Sequence, residues 1–101
     1  MWIIVFFDLP TDTKKARKRY TIFRKDLLDD GFSMMQYSVY VRHCASKENA
    51  EVHIKRVRYC IPPDGEVRVT QFTDKQFSRM EVYRGKRRVD VEEEPAQLEM
   101  F

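Results

Sequence analysis

Six apolar residues run into a single acid near the start of the chain: Trp2, Ile3, Ile4, Val5, Phe6 and Phe7, then Asp8. A continuous β-branched and aromatic run of this kind reads as a strand buried on both faces. Pro10 cannot donate to a ladder and restrains Leu9, so the strand must end near Asp8. A carboxylate at the tip of a central strand is a candidate ligand for a hydrated divalent cation. Shortly downstream come Lys14, Lys15, Arg17, Lys18 and Arg19, with no acid between Asp12 and Asp26. A helix facing only water usually intersperses acids for i,i+4 pairing. This stretch therefore reads as a phosphate-contacting surface. Arg84, Lys86, Arg87 and Arg88 form a second basic group. The bland alternatives are a solvated basic helix, and an Asp8 that accepts backbone N–H groups in the turn at Thr11–Asp12.

The elements that position these residues follow from spacing. A helix is expected over residues 12–30, capped by Asp12 or Thr13 and ended by Gly31. Ala16, Tyr20, Phe23 and Leu27 form its core stripe. Residues 32–43 alternate from Tyr37 onward, with Tyr37, Val39 and Val41 on one side and Ser38, Tyr40 and Arg42 on the other. They form either one bent strand or two short strands with a kink near Gln36. A second helix runs from its N-cap Ser46 to about Cys60, with a stripe of Ala50, Ile54, Val57 and Ile61. Pro62-Pro63-Asp64-Gly65 signals a turn, and Val67 and Val69 alternate in the strand after it. Residues 79–84 read as a last short strand, and Gly85–Arg88 as a basic hinge.

The expected architecture is α+β: a single ferredoxin-like (βαββαβ) domain with an extra C-terminal strand and both helices on one sheet face. Residues 1–84 form the domain, and residues 85–101 the hinge and an acidic tail. The other sheet face would expose large apolar side chains from the first strand, which predicts a homodimer formed through the sheet.

With 101 residues there is room for one modest core. All 19 Lys and Arg lie in residues 1–88 with 11 of the 16 acids, a net +8, and the last thirteen residues carry −5. The basic body suits a polyanion. The acidic tail argues against membrane adhesion and, through Leu98, Met100 and Phe101, suggests a protein contact. The apolar run is too short to cross a bilayer and lacks a signal-peptide pattern. The expectation is therefore a cytoplasmic protein with reduced thiols at Cys44 and Cys60. His43, Cys44, His53 and Cys60 fit no standard zinc spacing.

The first strand ending in Asp8, the basic helix, Gly31 and Gln36-Tyr-Ser-Val-Tyr40 together resemble the CRISPR-associated protein 2 family over residues 1–84. The segment Tyr83–Arg88 with the closing Gln-Leu-Glu-Met-Phe resembles the subgroup beside Cas9-type effectors. The resemblance implies a homodimer whose last strand crosses to the partner's sheet, with the two Asp8 side chains near the two-fold axis. It also implies a partner, the CRISPR-associated protein 1 integrase, and a duplex DNA ligand, the prespacer. Finally it implies Mg²⁺- or Mn²⁺-dependent endonuclease activity in some members, with Asp8 as catalytic and metal-holding residue.

Metal-assisted hydrolysis needs carboxylates for the ion and a group to position water, and one chain offers only Asp8 with no well-placed histidine. Duplex binding needs only rows of cations. The reading that follows is a DNA-binding scaffold of CRISPR adaptation with conditional nuclease activity. The alternative is a metal-dependent endoribonuclease, of the toxin-like interferase kind, acting on single-stranded RNA. A plain RNA-binding ferredoxin-like domain would need an aromatic RNP1-like motif, and none is present.

Overall fold

The computed structural model describes residues 1–95. The apolar run forms β1 (Trp2–Asp8), the second strand from one edge of a four-stranded antiparallel sheet. Beside it lie β3 (Val39–His43) and β4 (Glu66–Phe72), and β2 (Ser33–Gln36) closes the far edge, giving the order β2-β3-β1-β4. Two helices, α1 (Lys14–Asp29) and α2 (Lys47–Cys60), complete the βαββαβ order. This is the expected ferredoxin-like arrangement.

Both faces of β1 are buried because each meets a different layer. Ile3, Val5 and Phe7 face the helices and join Phe23, Leu27, Phe32, Tyr40 and Val57 in the main core. The rings of Phe7 and Phe23 meet edge to face at 5.2 Å. Trp2 and Ile4 face the other way, with Val41 and Phe77.

The ends of α1 are set by local chemistry. Thr13 accepts a hydrogen bond from the Ala16 N–H at 3.0 Å. Gly31, at φ +86°, lets the N–H groups of Gly31 and Phe32 return to the carbonyls of Leu28 and Leu27. Asp30, the last capping residue, ties three elements together. Its carboxylate accepts from His53 Nδ1 and Arg56 Nη1, each at 2.8 Å, and its carbonyl accepts from Arg42 Nε at 2.9 Å. Burial pushes the Asp30 carboxyl up, but the hydrogen bonds from His53 and Arg56 outweigh it and hold it below the ordinary 3.8. The stability it contributes is therefore complete above 3.8 and fades as the pH falls through the lower folded value. Asp30→Asn should cost about 1.5–3 kcal/mol at neutral pH, the worth of hydrogen bonds to a charged group. Urea melts at pH 7 and pH 3 should show the difference from the parent chain shrinking in acid.

Of the two forms open for residues 32–43, the structure adopts two short strands, a hairpin joined by the two-residue turn Tyr37-Ser38. Ser38 supplies the turn's positive φ of 60°, so no glycine marks it. A bulge at Met35 shifts the β2 register, and Tyr37 stands 79% exposed rather than sharing a face with Val39 and Val41. In α2 the buried residues are Ala50, His53 and Val57. Ile61 is 43% exposed, because the chain leaves helical geometry there and turns toward Pro62.

The largest difference follows β4. A short helix, α3 (Asp74–Ser78), caps itself through a reciprocal Thr73/Gln76 box. It lays Phe77 on Trp2 with ring centroids 4.1 Å apart. Met80 and Val91 pack on the same cluster. The second sheet face, expected to be open, is thus covered at its Trp2–Ile4 end by the chain itself. It remains open at Phe6, which is 39% exposed. The extra strand and hinge are instead a separate ribbon, β5 (Val82–Arg84) paired with β6 (Arg87–Val89) about Gly85. The ribbon straddles the expected division after residue 84.

Candidate nucleic-acid and metal site

Asp8 ends β1 at the uncovered end of the second sheet face. Three local features hold it there. Leu9 is buried behind it, so the strand cannot fray. The Phe7 N–H donates to the Ser38 carbonyl at 3.0 Å, which brings the Tyr37-Ser38 turn alongside. Gly65, at φ +90°, passes so close that a Cβ there would lie 2.7 Å from the Asp8 carbonyl oxygen.

In the β1–β4 register Asp8 stands directly opposite Glu66, and Phe6 opposite Arg68. Directly opposed side chains share a face, and like charges so placed repel. Glu66 is partly compensated, because its Oε1 accepts from Arg68 Nε at 2.6 Å. Asp8 makes no side-chain hydrogen bond or ion pair among the described residues, so the turn-capping role considered for it is not formed. Asp8, Glu66, Arg68, Phe6 and Tyr37 line one concavity of about 390 Å³. Two adjacent carboxylates, one unpartnered and open to water, suit Mg²⁺, which takes one or two carboxylates and keeps several waters.

The basic residues lie on two surfaces. On α1, Lys14, Lys15 and Lys18 are exposed and form no ion pair among the described residues. Arg17 donates to the Thr11 carbonyl at 3.1 Å, and Arg19 pairs with Asp64 at 3.1 Å, tying α1 to the turn before β4. Arg19 is therefore partly committed to the fold. On the ribbon, Arg84 lies opposite Arg87 and Tyr83 opposite Arg88, all exposed, with Lys86 in the turn. Leu98, Met100 and Phe101 lie outside the described residues.

The histidines are elsewhere. His53 is buried against Asp30, and His43 sits at the opposite end of the sheet from Asp8, paired in register with Trp2. Burial raises both the Cys44 and Cys60 thiols above their ordinary value, which leaves them poor thiolates. A second ligand-bearing group, His43, Asp74 and Glu94, brings one donor atom from each residue within 4.8 Å of the others. Sequence reasoning placed Gly65 in a turn but missed that Gly65, Glu66 and Arg68 lie beside Asp8, because that position depends on strand register.

No helix among the described residues is long and apolar enough to cross a membrane. Comparison with known proteins gives a consistent result. The family described as CRISPR associated protein Cas2 matches residues 1–80. A protein of Parvibaculum lavamentivorans named CRISPR-associated endoribonuclease Cas2 is 62% identical over the full length of both chains. A protein of the same name from Flavobacterium psychrophilum is 57% identical over all of this chain and 88% of its own. Among solved structures, Streptococcus pyogenes Cas2 at pH 6.5 superposes with a TM-score of 0.59 at 24% identity, covering 82% of this chain and 99% of that one. That likeness speaks to the fold. With the family model covering most of the sequence and full-length relatives this similar, the chain belongs to the CRISPR associated protein Cas2 family.

Proposed function

We propose that this chain is a metal-dependent endonuclease of a CRISPR system that cleaves single-stranded RNA and works as a homodimer. The observation that carries the reading is the unpartnered Asp8 carboxylate, opposite Glu66, in a concavity edged by Arg68. The names of the relatives at 62% and 57% identity favour an endoribonuclease over the DNA scaffold that the basic surfaces alone suggest. Asp8, with Glu66 beside it, would hold Mg²⁺ or Mn²⁺, which would supply charge neutralisation at a phosphate. Arg68 offers a guanidinium to a phosphate oxygen on the same face, and Tyr37 a ring on which an unpaired base can stack. No histidine is placed to take a proton, so turnover should be slow. Incubation of the purified protein with single-stranded RNA should give cleavage that Mg²⁺ supports and EDTA stops. RNA left intact at every metal concentration would refute the reading.

The homodimer rests on the open end of the second sheet face. Phe6 is a large apolar side chain there, and Asp8 from two protomers would meet at a two-fold axis across it. Sedimentation at micromolar concentration should give twice the chain mass, and Phe6→Glu should give the monomer. A parent chain that sediments as a monomer would remove the shared site.

A second reading, a scaffold for prespacer duplex DNA flanked by the CRISPR-associated protein 1 integrase, is favoured by the ribbon. Arg84 and Arg87 are like charges directly opposed, an arrangement that a bound polyanion stabilises. Lys14 and Lys18 test whether α1 contacts phosphate. Replacing both with Ala should flatten the salt dependence of binding by about 0.9 per lost contact on duplex, and about 0.7 on single strands. Titrations of both nucleic acids across salt concentrations read this directly. An unchanged slope on each would mean α1 makes no phosphate contact.

A further inference from the structure

At the end of the sheet away from Asp8, three segments distant in sequence meet. β3 ends at His43, α3 begins at Asp74, and the chain returns past both at Glu94. His43 Nε2 lies 3.1 Å from Asp74 Oδ1. The imidazole is held edge-on against Trp2, with ring centroids 4.9 Å apart, and the side chain is 11% exposed. Asp74 is fixed as the first residue of α3 by the Thr73 cap. The α-amino group of Met1 also donates to Asp74 Oδ1, at 2.6 Å. Asp90, Glu92 and Glu93 border the cleft that Asp74 and Glu94 share above Trp2 and Phe77. Five carboxylates thus line the cleft, and two of them, Asp74 and Glu94, stand beside the His43 imidazole.

We propose that His43, Asp74 and Glu94 bind a divalent transition metal of the Zn²⁺ class, and that this ion fastens the acidic segment 90–95 to the folded body. The donor set decides the class. Mg²⁺ and Ca²⁺ favour all-oxygen sites, whereas an imidazole nitrogen with two carboxylate oxygens suits zinc and its neighbours. Three protein donors leave a position for water. The ion takes the place of the Met1 ammonium as the cation on Asp74. Because His43 belongs to the sheet and Glu94 to the returning chain, one ion cross-links segments that otherwise meet through Val91 and the Trp2–Phe77 cluster. The site is separate from the Asp8 concavity: Trp2 and Asp8 stand at opposite ends of β1, about 20 Å apart at roughly 3.3 Å per residue. Cys44, His53 and Cys60 do not take part.

Isothermal titration of the full chain with ZnCl₂ at neutral pH, in excess MgCl₂, tests this. One Zn²⁺ should bind per chain despite the magnesium, and segment 90–95 should gain protection from a glutamate-specific protease. Glu94→Gln and His43→Ala should each weaken Zn²⁺ binding by more than about tenfold, while Asp8→Asn leaves it unchanged. Glu94 is exposed, so its variant carries the test if His43→Ala fails to fold. Absence of stoichiometric binding, equal affinity in the Glu94→Gln chain, or loss on Cys44→Ser or Cys60→Ser instead would overturn the proposal.

Discussion

Asp8→Asn is expected to reduce metal-stimulated RNA cleavage by at least about a hundredfold while leaving the fold intact. The substitution is nearly isosteric and removes the charge proposed to hold the ion, leaving Glu66 alone and already engaged by Arg68. A hundredfold loss corresponds to about 2.7 kcal/mol of transition-state stabilisation, within the several kcal/mol that a bound cation supplies at a phosphoryl oxygen. Stability should not fall, because the Asp8 side chain makes no hydrogen bond among the described residues. Relief of its repulsion with Glu66 should raise stability slightly. Single-turnover cleavage of a labelled RNA, with thermal melts of both chains, reads the two effects separately. Cleavage that persists at the parent rate would move the chemistry away from Asp8. A large drop in melting temperature would restore a structural role for it.

Gly65→Ala should produce the second large effect, from outside the cluster of charged side chains. Two independent costs coincide at this position. An L-residue at φ +90° is strained by roughly 1–2 kcal/mol. The new methyl would also press on the Asp8 carbonyl at 2.7 Å and on a Leu9 methyl at 2.8 Å. The backbone oxygen cannot turn aside as a flexible side-chain end could. Either β4 withdraws, breaking the Asp8–Glu66 pairing, or the tip of β1 moves. Urea denaturation should show a loss of about 2 kcal/mol or more, combining both costs. Cleavage by the surviving folded fraction should fall as well, since an ångström at the carboxylate matters. Parent-like stability and activity would mean the turn can relax without moving Asp8.

The order of elements and the helix ends were legible in the sequence because they are written locally. Thr13, Gly31 and Ser46 announce caps through their own side chains or the lack of one, and Ala16-Tyr20-Phe23-Leu27 announces a face through its period. Asp8 was legible as the end of an apolar run. What failed to show was whatever depends on a distant partner. His53 reads as a polar interruption of the α2 stripe until Asp30 is placed beside it. The Tyr37-Ser38 turn hides because a serine occupies the left-handed position usually given to Gly or Asn. Phe77 looks like one more apolar residue after a strand, yet it decides how much of the second sheet face stays open. Glu66 and Arg68 carry no signal of their own, and their bearing on Asp8 is a matter of register.

The central place of β1 has a consequence for synthesis. Its two neighbours, β3 and β4, both come later in the chain, the second ending at Phe72. A ribosome adding roughly 5–20 residues per second therefore leaves the six-residue apolar run without its full set of partners for several seconds. Two of the sheet's three pairings are non-local, which slows their formation further. During that interval residues 2–7 are the kind of segment that self-associates, and the charge of Asp8 followed by Pro10 guards their end. Asp8, proposed as a metal ligand, thus has an earlier duty in the life of the molecule, as a gatekeeper of the nascent chain.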